Sequence, residues 1–152
     1  MLAVMGLLAS FLVALILQPT ALPRYLPVRE GAVLDVDTQL VWAESSSAPM
    51  TREAADEYVR RLDAAGYTDW RLPSAEEVRV LLDQKQCRKI DGASASATVC
   101  LTPTIELMEA VVWTREGGVV APMVFSFANG ELRPADRTSR AVVLPVRKTD
   151  YE

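Results

Sequence analysis

Asp69 and Arg71 stand on either side of Trp70, Glu76 and Glu77 follow closely, and two cysteines, Cys87 and Cys100, come next. These are the residues whose types could do chemistry. Acid–base work by paired carboxylates needs two carboxyl groups converging on a pocket that displaces their pKa values. Glu76 and Glu77 are neighbours at a helix start, so they point apart and instead favour the helix dipole. Asp69 and Arg71 flank a large aromatic residue, and their expected task is to pair or to bond backbone groups. The chain has no histidine. That removes the commonest general base, the Ser-His and Cys-His nucleophile pairs and most transition-metal sites. No catalytic, cofactor-binding or metal-binding residue is expected, and the chain is read as a non-enzyme.

The cysteines allow two readings. A bridge between Cys87 and Cys100 would close a loop of about a dozen residues, worth roughly 3 kcal/mol in the chain-entropy model. Two unrelated thiols are the rival reading, which spacing alone does not exclude; an extracytoplasmic address favours the bridge, and the bridge is the reading adopted. The formal net charge is −4 over 152 residues. An acidic chain with scattered positive charges lacks the basic face of a nucleic-acid binder.

The segment that must position Asp69 and Arg71 is Gly66-Tyr67-Thr68-Asp69-Trp70-Arg71-Leu72-Pro73-Ser74. Gly66 can take the left-handed conformation that ends a helix, and Pro73 keeps the next helix from starting early. Ser74 with Glu77 forms a capping box. Trp70 is large enough to plug the space between two helices and the surface they pack on. The segment is a rigid corner, and Trp42, Trp70 and Trp113 are expected to fill the core.

Around it, residues 32–36 and 40–43 suit a hairpin. Thr51 caps a helix expected over residues 52–65, whose apolar face carries Ala54, Ala55, Tyr58, Leu62 and Ala65. A second helix is expected over residues 75–85. Residues 84–104 are polar and rich in Ser and Ala, which reads as a long loop. Strand-like runs follow at residues 110–114, 119–127 and 141–146, and Asn129-Gly130 marks a tight turn.

Residues 1–17 are apolar almost without interruption. Such a run is a membrane anchor or a signal peptide. The basic residues expected before a signal are missing and the best cleavage point, after Ala21, is poor, so a retained anchor over residues 1–18 is favoured. Arg24 and Arg29 lie on the wrong side of it for the positive-inside rule if the domain is exported. Gly6, Ser10 and Ala14 form a small-residue stripe against which another membrane helix could pack. Pro19, Pro23 and Pro27 make residues 19–30 an extended stalk. A domain over residues 31–148 and a short tail over 149–152 complete the expected organisation.

The corner, with the hairpin before it and the strands after it, resembles the Lcl C-terminal domain family. Its pattern is D-x-x-T-G-L-x-W, a helix, G-Y-x-D-W-R-L-P-x-x-x-E-L, Y-W-T/S-S, F-x-x-G and a closing V-R-x-V-R. The matching residues are Asp35 or Asp37, Thr38, Leu40 and Trp42, Gly66 to Pro73, Glu77-Val78, Trp113-Thr114, Phe127 with Asn129-Gly130, and Val142 to Arg147. Gln39 replaces the expected glycine, and the Y-W-S-S-type motif is loosened to Val112-Trp113-Thr114-Arg115. The resemblance implies an α+β, C-type-lectin-like fold: two helices flanking a small, mainly antiparallel sheet, with a long loop region, here behind a transmembrane helix. It also implies a binding role rather than catalysis. The triplets of calcium-dependent sugar binders are absent. Cys87 and Cys100 match too weakly the cysteine and copper pattern of the formylglycine-generating enzyme that shares the fold to carry its activity over, which leaves an enzyme of that type as the weakest alternative to a binding role.

Two roles follow as expectations. The first is a membrane-anchored periplasmic module of the inner membrane, binding protein as an accessory subunit of a larger membrane complex through its N-terminal helix and its lectin-like surface. The second is a secreted or surface module that binds a glycan.

Overall fold

The computed structural model describes residues 20–150. Its organising unit is a four-stranded antiparallel sheet in the order β1-β2-β3-β9, built from β1 (Tyr25–Arg29), β2 (Ala32–Asp35), β3 (Leu40–Ala43) and β9 (Val146–Lys148). β2 and β3 are the expected hairpin. Neither alternates apolar with polar residues, because both faces of this sheet are covered. Val33, Leu40, Trp42 and Val146 point into the main core, while Ala32 and Val41 on the opposite face pack with Trp70.

Thr51 caps α1 (Arg52–Arg61), its side-chain oxygen accepting the Ala54 amide at 3.4 Å. Ala55 and Val59 of α1 pack on Trp113 and Val124, within the sheet β6-β7-β8 of Val111–Trp113, Met123–Ser126 and Glu131–Pro134. Residues 141–144 run extended between two clusters. Val142 and Leu144 enter the main core and Ala141 and Val143 enter the α1 cluster, the alternation of a strand buried on both sides.

Several expectations are corrected. The helix α2 (Ala75–Val80) stops five residues early, and residues expected to form a loop are the hairpin of β4 (Leu82–Asp91) and β5 (Ser96–Leu101). Val99 and Leu101 are fully buried and Cys87 faces Cys100 across the ladder. The C-type-lectin-like α+β arrangement of two helices flanking a sheet is therefore not observed. Among the described residues strands dominate, nine of them in three sheets, against helices of ten and six residues. The physical reason lies in the hairpin. Its outer face is polar enough to look like a loop, but its inner face closes the core.

Tyr25–Arg29, within the stretch read as a stalk, is an edge strand paired with β2. Pro27 is tolerated there because an edge strand does not need every donor.

Among the described residues no helix is long and apolar enough to cross a membrane. Ten residues span about 15 Å at helical rise, half of the roughly 30 Å hydrocarbon core. The expected anchor, and with it Gly6, Ser10 and Ala14, lies outside the described residues. The transmembrane part of the expected fold and the inner-membrane, periplasmic placement built on it are withdrawn.

Candidate functional site

The corner begins with a turn rather than a helix end. After α1 stops at Arg61, Ala64 and Tyr67 exchange backbone hydrogen bonds of 3.2 and 2.9 Å. The two residues between them, Ala65 and Gly66, have φ of 54° and 72°. Positive φ at both central positions is the signature of a type I′ turn, which an alanine tolerates poorly and a glycine easily. The indole N–H of Trp70 donates to the Ala64 carbonyl at 3.1 Å, so the plug is tied to the turn it supports. Trp70 is only 4% exposed and rests on Ala32 and Val41.

The charged residues of the corner are committed to the fold. Arg71 donates through both arms to Glu77, at 2.7 and 2.9 Å. The same Glu77 carboxylate accepts the Ser74 amide at 2.8 Å, and the Ser74 hydroxyl accepts the Glu77 amide at 3.1 Å. The capping box and the ion pair are thus one unit. Burial pushes the Glu77 carboxyl up, but Arg71 and the Ser74 amide outweigh it and hold it below the usual range. The Arg71 backbone exchanges bonds of 2.9 and 3.0 Å with Val146, which closes the β9 edge of the sheet. Leu72 and Pro73 are buried beneath, and the Pro73 carbonyl accepts the Arg115 amide at 2.8 Å.

The other expected residues also serve structure. Trp113 is fully buried and its N–H donates to the Met50 carbonyl at 2.8 Å. Trp42 is buried in the main core with its indole nitrogen unpaired among the described residues. Gly130, with φ of 72°, turns β7 into β8. Cys87 and Cys100 are joined by a disulfide. Among the described residues no cluster of acidic, cysteine or histidine side chains could hold a metal ion.

The structure also brings together residues that the sequence does not single out. Leu34, Val41 and Arg147 are register partners across three strands on the outer sheet face. With Val28, Arg29, Tyr67, Thr149 and Asp150 they line a cleft of about 410 Å³ next to the corner. Its floor is aliphatic and its walls carry two guanidinium groups. Those of Arg29 and Arg147 lie 4.5 and 4.0 Å from the centre of the Tyr67 ring, within cation–π range.

The two arginines differ in what they have left to offer. Arg147 is 4% exposed at its side chain and is bonded to Asp69 at 2.6 and 3.1 Å and to Asp150 at 2.5 Å. The Arg147 guanidinium holds the Asp69 carboxyl below its ordinary value, and Asp69 in turn raises Arg147. Arg29 has no carboxylate within ion-pair distance among the described residues, and donates only to the Ala65 carbonyl at 3.3 Å. A second groove along α1, lined by Met50, Ala54, Tyr58 and Leu62, has only the mutually paired Glu57 and Arg61, with Asp63, at its rim.

Asp69 and Tyr67 were legible as part of the corner; Arg29, Leu34, Val41 and Thr149 were not. The available signal was the run of consecutive apolar residues in β2 and β3, which calls for cover on both faces.

With this architecture in view, the sequence profile of the Lcl C-terminal domain matches residues 31–147. The chain belongs to the Lcl C-terminal domain family. No curated protein matches it.

Proposed function

We propose that this domain is a non-catalytic module that binds a protein partner, as an accessory subunit of a larger assembly, with the cleft beside Tyr67 as its contact surface. One observation carries the reading. The ionisable side chains of the corner are spent on internal pairs, Asp69 with Arg147 and Arg71 with Glu77, while the adjoining cleft keeps an aliphatic floor and a cation, Arg29, without a carboxylate partner among the described residues. Such a surface suits recognition of a chain that carries both apolar and polar groups. The residues lining it include no histidine and no cysteine, the commonest general base and thiol nucleophile. A glycan reading has less support, because the aromatic ring of the cleft lies under guanidinium groups instead of presenting a bare face for a sugar ring.

A photo-crosslinking amino acid at Leu34 tests this in cells that make the full chain. The expected result is one dominant protein adduct, absent when the same probe replaces Glu131, exposed on β8. Identical adducts from both positions, or no protein adduct from Leu34, would overturn it.

A further inference from the structure

We infer that the cleft captures the C-terminal carboxylate of a partner chain ending in an aliphatic residue, an inference that rests on the protein-binding reading above. Four observations converge on Arg29. First, β1 is bulged. Pro27 pairs with Val33 and Arg29 with Ala32, so Val28 is an extra residue, and both Val28 and Arg29 turn to the cleft. Bulges commonly re-aim a side chain in this way. Second, Gly66 makes room for the guanidinium. A Cβ at Gly66 would stand 2.5 Å from Arg29 Nη1. Third, the guanidinium lies 4.5 Å from the centre of the Tyr67 ring, a contact that positions it without neutralising its charge. Fourth, it has no carboxylate partner among the described residues, whereas Arg147 in the same cleft has two.

A planar, pre-positioned guanidinium with free N–H groups suits a carboxylate, which it can hold through two parallel bonds. The surroundings decide which carboxylate. The floor beside Arg29 is Leu34 and Val41, so the ligand must place an aliphatic group close to its charge. A chain-terminal residue does so on a single Cα. An internal Asp or Glu carries its charge on the side chain itself, and its neighbours along an extended chain point to the other face. A sugar acid would bring several ring hydroxyls to a floor of Leu34 and Val41, and of the acceptors in the cleft the Asp150 carboxylate is already held by Arg147. Capture of a C-terminal carboxylate by fixed donors is a recurring mode of peptide recognition.

The test uses the full-length chain and a fluorescein-labelled hexapeptide, Ser-Gly-Ser-Ala-Val-Leu, as free acid and as C-terminal amide, read by fluorescence anisotropy. The acid is expected to bind roughly tenfold or more tighter than the amide, the scale of one charge-assisted bidentate contact. Arg29→Gln should bring the acid down to the level of the amide. Arg29 is on the surface, so the variant should melt with the parent; Arg29→Lys, which keeps the charge and loses the fork, should fall between. Equal binding of acid and amide, binding of neither, or an unchanged acid affinity in Arg29→Gln would each overturn the inference. Octanoate competing as strongly as the peptide would also overturn it and assign the cleft to a free fatty acid. The two readings fail separately. A protein adduct at Leu34 with no preference for the acid leaves the protein-binding role standing without carboxylate capture.

Discussion

Arg147, near the end of the last strand, grips Asp69, 78 residues earlier, through two hydrogen bonds, and the arginine is buried while the aspartate is exposed. The asymmetry matters. Removing the acid leaves a buried cation with one remaining partner, Asp150, whereas removing both leaves nothing uncompensated.

Asp69→Ala should therefore destabilise by about 1 kcal/mol, since the pair is half in solvent and Arg147 keeps Asp150. The double variant Asp69→Ala with Arg147→Met should recover part of that loss. A double-mutant cycle from urea midpoints measures it. Strict additivity would show that the two residues do not act as a pair.

Trp70 is predicted to be the costliest single residue of the corner. It fills the outer sheet face and ties the Ala64 turn, so Trp70→Ala should cost on the order of 3–5 kcal/mol. Thermal melts read the effect directly. A variant within a degree or two of the parent would mean that the corner folds without its plug.

The pH dependence follows from the lowered carboxyls. Glu77 sits below its ordinary 4.5 and Asp69 below 3.8. A group whose folded pKa is depressed contributes stability above its unfolded value and loses it as pH falls through the folded one. Melting temperature should be flat from pH 7 to about the carboxylate range and then fall as acid is added. Glu77→Gln should lower the plateau and make the acid limb shallower. An acid limb of the same steepness in that variant would show that Arg71 and Ser74 do not stabilise the charged form.

Reduction of Cys87–Cys100 should cost roughly 3 kcal/mol, the chain-entropy figure for a loop of this size. The change should concentrate in the β4–β5 hairpin. Amide hydrogen exchange at Val99 and Leu101 is the sensitive reporter, since both are fully buried. Unchanged protection in the reduced protein would mean that core packing alone holds the hairpin.

The contrast between what the sequence revealed and what it hid has a physical pattern. Signals carried by a few specific residues were readable: the Thr51 cap, the Ser74–Glu77 box, the Asn129-Gly130 turn and the family motif; Trp70 is buried, but on the outer sheet face with the turn after α1 and not between the two helices. The β4–β5 hairpin was not. Ala97, Val99 and Leu101 alternate as a strand should, but Ser and Ala around them dilute the signal, and the exposed β4 residues read as loop. Pro23 and Pro27 disguised β1 in the same way. The cleft was hidden for another reason. Arg29, Leu34 and Val41 come from one short stretch, but Arg147 and Thr149 come from the other end of the domain and join them only through the pairing of β3 with β9, which local patterns do not encode.

Pro27 has a consequence beyond its own strand. β9 is met on its outer side by the Arg71 backbone, so among the described residues β1 is the edge of this sheet left open to another chain. There a proline withholds a backbone donor and the bulge at Val28 breaks the spacing of those that remain. A strand arriving from a neighbouring molecule would find no continuous ladder to join. The same irregularity that turns Arg29 towards the cleft thus keeps the sheet finite, and a concentrated solution of this protein should resist growth into fibrils from that side.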